Sequence, residues 1–186
     1  MKIFVILLTT FCFVTVNAQM MKNDVLPYYE IPEYPEIYTA GTVAARMIDG
    51  LGFRYYWATE GLRHEDLIYK PSKTGRATSE TIEHIYGLSK TIRNSILGND
   101  KDENVLELDF EAKRKQTLLN FKIVSDALRN KDEPFQLDNI HIPFWNLING
   151  PIEDALWHCG QLVLLRRASG NPFNSKVNLF SGKLKE

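Results

Sequence analysis

Three polar residues stand where a helix face built for a core would be apolar: His84, Asp154 and His158. Asp154 and His158 are spaced i, i+4 in a segment of helical periodicity, so their Cβ atoms should lie about 5–6 Å apart on one face. Leu162 and Leu165 share that face, which predicts that it looks inward. His84 sits on a second apolar stripe, with Thr81, Ile85, Leu88, Ile92 and Ile96. A buried carboxylate without a partner costs several kcal/mol. Asp154 therefore needs a cation, a histidine or a metal. Two imidazoles and a carboxylate converging from facing helices can hold a divalent ion, with ligand distances near 2.0–2.2 Å for zinc, and leave positions open for water or substrate. The plainer reading of the same spacing is an Asp154–His158 ion pair beside an unrelated core histidine. The D-x-x-x-H pattern alone does not separate the two.

Other residues invite chemistry less strongly. His64 and His141 fall in connections and read as solvated loop residues. Cys159 follows His158 but points about 100° away around the helix, which predicts a buried, inert thiol. Gln161 is one turn from His158 and can hydrogen-bond a ligand or a bound water, or simply pack. Arg166 and Arg167 read as partners of surface acids ahead of contacts to an anionic substrate. Trp145, Asn146 and Asn149 precede the last helix and are accounted for by helix entry.

Four helices must position these groups. Their predicted spans are residues 39–57, 79–97, 106–130 and 151–169. Ala44, Met47, Ile48, Leu51 and Tyr55 share a face of the first, which Gly50 and Gly52 weaken locally. Thr78 or Ser79 can cap the second, and Gly98-Asn99 ends it. Phe110, Thr117, Leu118, Phe121, Val124 and Leu128 line the third, with Lys113, Lys115, Lys122 and Asp126 on its solvated side. Gly150-Pro151 opens the fourth, with proline in the first turn, and Gly170-Asn171-Pro172 stops it. No strand alternation intervenes. The fold class expected is all-α, a four-helix bundle, with connections long enough for non-consecutive helices to be neighbours.

The chain has 186 residues, 44% hydrophobic and 24% charged, enough for one domain with a sizeable core. Lys+Arg (22) nearly cancels Asp+Glu (23), so no global field attracts a polyanion, and no basic stripe with interleaved aromatics is present. Nucleic acid is disfavoured as a partner. At the start, Met1-Lys2 precedes an apolar run from Ile3 to Val16, too short to span a bilayer, and Val16-Asn17-Ala18 offers small-residue cleavage chemistry. Residues 1–18 read as a signal peptide. That predicts export to a periplasmic or extracellular compartment, with no stable membrane insertion after cleavage. Cys12 leaves with the leader, and Cys159 remains as the sole thiol. Residues 19–38 form a Pro/Tyr-rich arm, with Pro27, Pro32 and Pro35 among Tyr28, Tyr29, Tyr34 and Tyr38. It should pack in extended form over an apolar surface in preference to stacking on carbohydrate. Residues 173–186 form a short tail, with Val177, Leu179 and Phe180 as docking points.

Thr78-Ser79-Glu80-Thr81-Ile82-Glu83-His84-Ile85 resembles the start of the second helix in DinB/YfiT-like proteins. Asp154-Ala155-Leu156-Trp157-His158-Cys159-Gly160-Gln161 is similar to their last-helix motif, H-x-x-x-H followed by a residue and Gly-Gln. The Gly170-Asn171-Pro172 stop fits as well, and the resemblance spans roughly residues 39–172. It implies a bundle with long crossovers and a divalent metal on a histidine triad. His84 and His158 match triad positions. Asp154 stands where the family usually has its middle histidine, which makes the set two-His-one-carboxylate. Such a set suits zinc, nickel, manganese or iron(II), with reduced Lewis acidity from the added negative charge.

The resemblance implies a metal-dependent enzyme acting on a small molecule, either a thiol transferase or a hydrolase. Export weighs against the thiol chemistry, because low-molecular-weight thiol cofactors are cytosolic. A non-catalytic metal- or ligand-binding envelope protein is the alternative. A homodimer is compatible with either. Substrate and reaction are not legible.

Overall fold

Thr39 starts the first long helix. Its hydroxyl accepts from the Thr42 amide at 3.1 Å, while the Thr42 hydroxyl accepts from the Thr39 amide at 2.8 Å, a reciprocal cap. In the computed structural model, which describes residues 25–33, 35–98, 108–130 and 142–186, this helix is α1, Ala40–Thr59. Residues 1–24, which include the expected leader and Cys12, lie outside the described residues, as do Tyr34, His141 and the first residues expected of the third helix.

A short α2, His64–Ile68, occupies the connection expected to be loop. Then come α3, Thr78–Leu97, and α4, Phe110–Arg129. The last helical stretch is compound: α5, Phe144–Leu147, runs through a π turn, Ile148–Ile152, into α6, Glu153–Ala168. Helix ends thus fall within a few residues of expectation, except that Pro151 does not open the last helix. It sits inside the π turn. Proline brings no amide and crowds the carbonyl four residues back, so the helix widens there, and the Glu153 amide reaches Ile148 O, five residues back.

The cap of α3 also differs from expectation. Its N-cap is Ala77, which has no side-chain oxygen, and the Glu80 carboxylate accepts from the Ala77 amide at 2.5 Å instead. That bond holds the Glu80 carboxyl below the ordinary carboxylate range.

Helices α1 and α3 each pack between α4 and α6, so the two flanking helices contribute to one core. Ile48, Leu51, Phe53 and Tyr55 of α1, Ile85 and Ile92 of α3, Leu118, Phe121 and Leu128 of α4, and Leu162 of α6 are buried in it. Met47, expected on the inner face of α1, is 40% exposed. The described residues are all-α apart from a two-residue antiparallel ladder in the tail, β1 (Val177–Asn178) on β2 (Lys183–Leu184), which the sequence did not lead us to expect. No helix among the described residues is long and apolar enough to cross a membrane.

The described part of the N-terminal arm packs, as expected, but it turns at Tyr28 (φ 74°) instead of running extended, and Tyr38 is exposed. Tyr28 and Ile31 are buried, and Tyr29 sets its ring 5.9 Å from Tyr56 and 5.2 Å from Trp57. The Trp57 indole donates to Tyr29 O at 3.1 Å. Gly52, which weakens helix propensity, is needed here: a Cβ on it would lie 2.5 Å from the Tyr28 ring. The tail meets the arm through Ile31 N–H to Gly182 O (2.9 Å) and a Lys183–Glu33 ion pair (2.9 Å). Val177 is buried, but Leu179 and Phe180, expected to dock, are exposed.

Candidate metal centre

The seam between α3 and α6 brings the three sequence-predicted residues together. His84 Nε2 lies 3.0 Å from Asp154 Oδ2, and His158 Nε2 lies 3.3 Å from Asp154 Oδ1. The imidazoles meet edge to face with centroids 4.7 Å apart. One ligand atom from each residue falls within 4.8 Å of the others. Ligands about 2.1 Å from a common ion are themselves separated by roughly 3.0–3.5 Å, so the two carboxylate–imidazole distances match a coordinated ion, while the ligand atoms would draw in from spacings of up to 4.8 Å.

Burial differs from expectation. The side chains of His84, Asp154 and His158 are 37%, 41% and 13% exposed. The group lies at a solvent-open mouth instead of deep in the core. The reason is rotational. Ala155, Cys159, Leu162 and Arg166 form the buried face of α6, and the 154/158/161 face is turned about a quarter-turn from it, toward α3. Asp154 therefore remains partly hydrated and pays less than a fully buried carboxylate.

Gln161 Oε1 lies 2.8 Å from His158 Nδ1, and His158 Nε2 faces Asp154 Oδ1 at 3.3 Å, so each ring nitrogen has a polar neighbour that holds the imidazole in the seam.

The remaining candidates fall elsewhere. His64 is exposed on α2. Cys159 is buried, and desolvation pushes its thiol up to about 12, so it is protonated and inert at neutral pH. Arg166 is not a surface residue: it is 3% exposed and donates to Trp57 O, Ala58 O and Glu60 O, closing the C-terminus of α1. Arg167 is exposed and lies over the Phe173 ring, Cζ 5.6 Å from its centroid. Trp145 is 67% exposed beside Tyr38 and Met47.

Buried charges that the sequence did not reveal include Arg114, which pairs with Glu60 and donates to Thr59, and two clusters around acids. Asp49 is fully buried, accepts from Ser125 Oγ at 2.6 Å and pairs with Arg129. Its signal was an acid beside Ile48 and two residues before Leu51, on the buried side of α1. Asp66, also fully buried, accepts from Arg63, from Ser169 Oγ (2.6 Å) and from Asn171 Nδ2 (2.7 Å). The Arg63 guanidinium leads in holding its carboxyl far below the ordinary range.

The chain matches no protein-family model, no curated protein and no solved structure.

Proposed function

We propose that the protein is an exported DinB/YfiT-like four-helix bundle that binds one divalent ion on His84, Asp154 and His158 and acts as a metal-dependent hydrolase or thiol transferase on a small molecule. The observation that carries the reading is the convergence of two imidazoles and a carboxylate from α3 and α6 at a solvent-open seam, each with a ligand atom within 4.8 Å of the others. Bound there, zinc, nickel, manganese or iron(II) would supply Lewis acidity to activate water or a thiol toward an electrophile.

The protein's own residues do the rest. Gln161 hydrogen-bonds His158 Nδ1 and orients its ring. Asp154 reaches both imidazoles through its two oxygens and brings the negative charge that offsets a dication. Partial exposure of His84 and Asp154 leaves one side open to substrate. Export favours hydrolysis over thiol transfer, because low-molecular-weight thiol cofactors are cytosolic.

Elemental analysis of untagged protein tests the site. Near-stoichiometric divalent metal is expected in the wild type and its loss in His158→Ala. Wild-type protein that stays metal-free after loading with zinc, manganese, nickel and anaerobic iron(II) would leave a hydrogen-bonded His–Asp–His cluster and end the enzymatic reading.

A further inference from the structure

The face of α6 turned away from the candidate metal centre borders a second feature. Between α1 and α6 lies a cleft of about 430 Å³, within the size range of small-molecule sites. Trp57, Cys159 and Val163 wall it, Phe173 of the tail closes one side, and Leu156 and Leu179 rim it at 42% and 44% exposure. Its charged lining residues are both cationic: Arg54 and Arg167.

Neither arginine has an ion-pair partner among the described residues. Arg54 Nη1 donates to Gly50 O at 2.9 Å, its one hydrogen bond there, and Arg167 rests against the Phe173 ring. A guanidinium carries five donors in a planar fork suited to a carboxylate. Two such groups over an apolar trough define a complementary ligand: an oxyanion head with a hydrocarbon body. We propose that the α1–α6 cleft binds a small carboxylate-headed amphiphile, with the head on Arg54 and Arg167 and the chain along Trp57 and Val163. This assignment is independent of the metal reading, because none of the three metal-site residues lines the cleft.

Gly160 supplies the test. It lines the cleft, and a Cβ on it would meet nothing within 4 Å, so a larger side chain projects into the space a ligand would occupy. Replacing glycine inside a helix also favours the helix. Calorimetric titration of metal-stripped protein with decanoate, below its micelle concentration, should show saturable 1:1 binding at least tenfold tighter than decyltrimethylammonium. Gly160→Leu should abolish it with a melting temperature no lower than wild type. Arg54→Gln/Arg167→Gln should weaken it at least tenfold, and His158→Ala should leave it unchanged. Equal binding of the cationic amphiphile, decanoate binding that survives Gly160→Leu, or no saturable binding would each overturn the proposal.

Discussion

Asp154 carries the most weight of any single residue, because in the proposed ligand set it is the one carboxylate and faces both imidazoles. Asp154→Ala removes a ligand and leaves two imidazoles, so metal affinity should fall at least tenfold. Asp154→His restores the three-imidazole set of the resembling family and should retain metal, with a shift toward zinc. Competition titration with a chromophoric chelator reads both. If the alanine variant binds as tightly as wild type, the carboxylate is no ligand. Gln161→Leu removes the acceptor on His158 Nδ1, and loss of such a partner typically costs 10–100-fold in affinity. At this scale the sequence was informative where polarity broke an apolar stripe. His84, Asp154 and His158 stood out that way, and the structure places them together. Asp49 broke a stripe just as clearly. What hid it was its partner, since Arg129 lies 80 residues on and no local spacing links the two. Arg166 was misread for a similar reason: its acceptors are backbone carbonyls at the end of α1, which carry no residue-type signal.

Helices were legible because burial on one side imposes a 3.6-residue period, and the four long ones lie close to where that period put them. Short elements lack a full period. Helix α2 and the tail ladder are held by tertiary contacts, as when Thr78 N–H reaches Tyr69 O at 3.2 Å, and so left no pattern. The π turn was invisible because Pro151 serves equally as a helix start or as an interruption. Glycines too were ambiguous. Gly52 looked like a weakness in α1 and is in fact the seat of the Tyr28 ring. Gly52→Ala should therefore destabilise by about 1–3 kcal/mol through overpacking, although alanine is the better helix former. Pairing it with Tyr28→Ala should recover part of that loss, giving a non-additive cycle in urea denaturation. Additive losses would mean that the ring is not what alanine meets. Gly41 makes a stricter demand, since its Cβ would come within 2.4 Å of Leu128 O, a backbone atom of α4.

Whole-molecule stability should carry an acid-side signature from Asp66. Its carboxyl titrates below the ordinary range in the folded protein, chiefly through Arg63, with Ser169 and Asn171 adding donors. A depressed folded-state pKa contributes stability that is complete above the unfolded value and is lost as pH falls toward the folded one. Between about pH 5 and pH 2 the melting temperature should drop more steeply for wild type than for Asp66→Asn, which should already be less stable at pH 7. Parallel curves would show that the buried cluster has no linkage to protons. The same long-range logic governs the two ends of the described chain. Glu33 and Lys183, 150 residues apart, form an ion pair beside the Ile31–Gly182 hydrogen bond. Neither contact belongs to the helical core. Under tension applied between the arm and the tail, this clasp takes the load before any helix does. It should behave as a mechanical fuse: an early rupture would part the arm from the tail, while buried Tyr28, Ile31 and Val177 keep each docked on the helices until a higher force is reached.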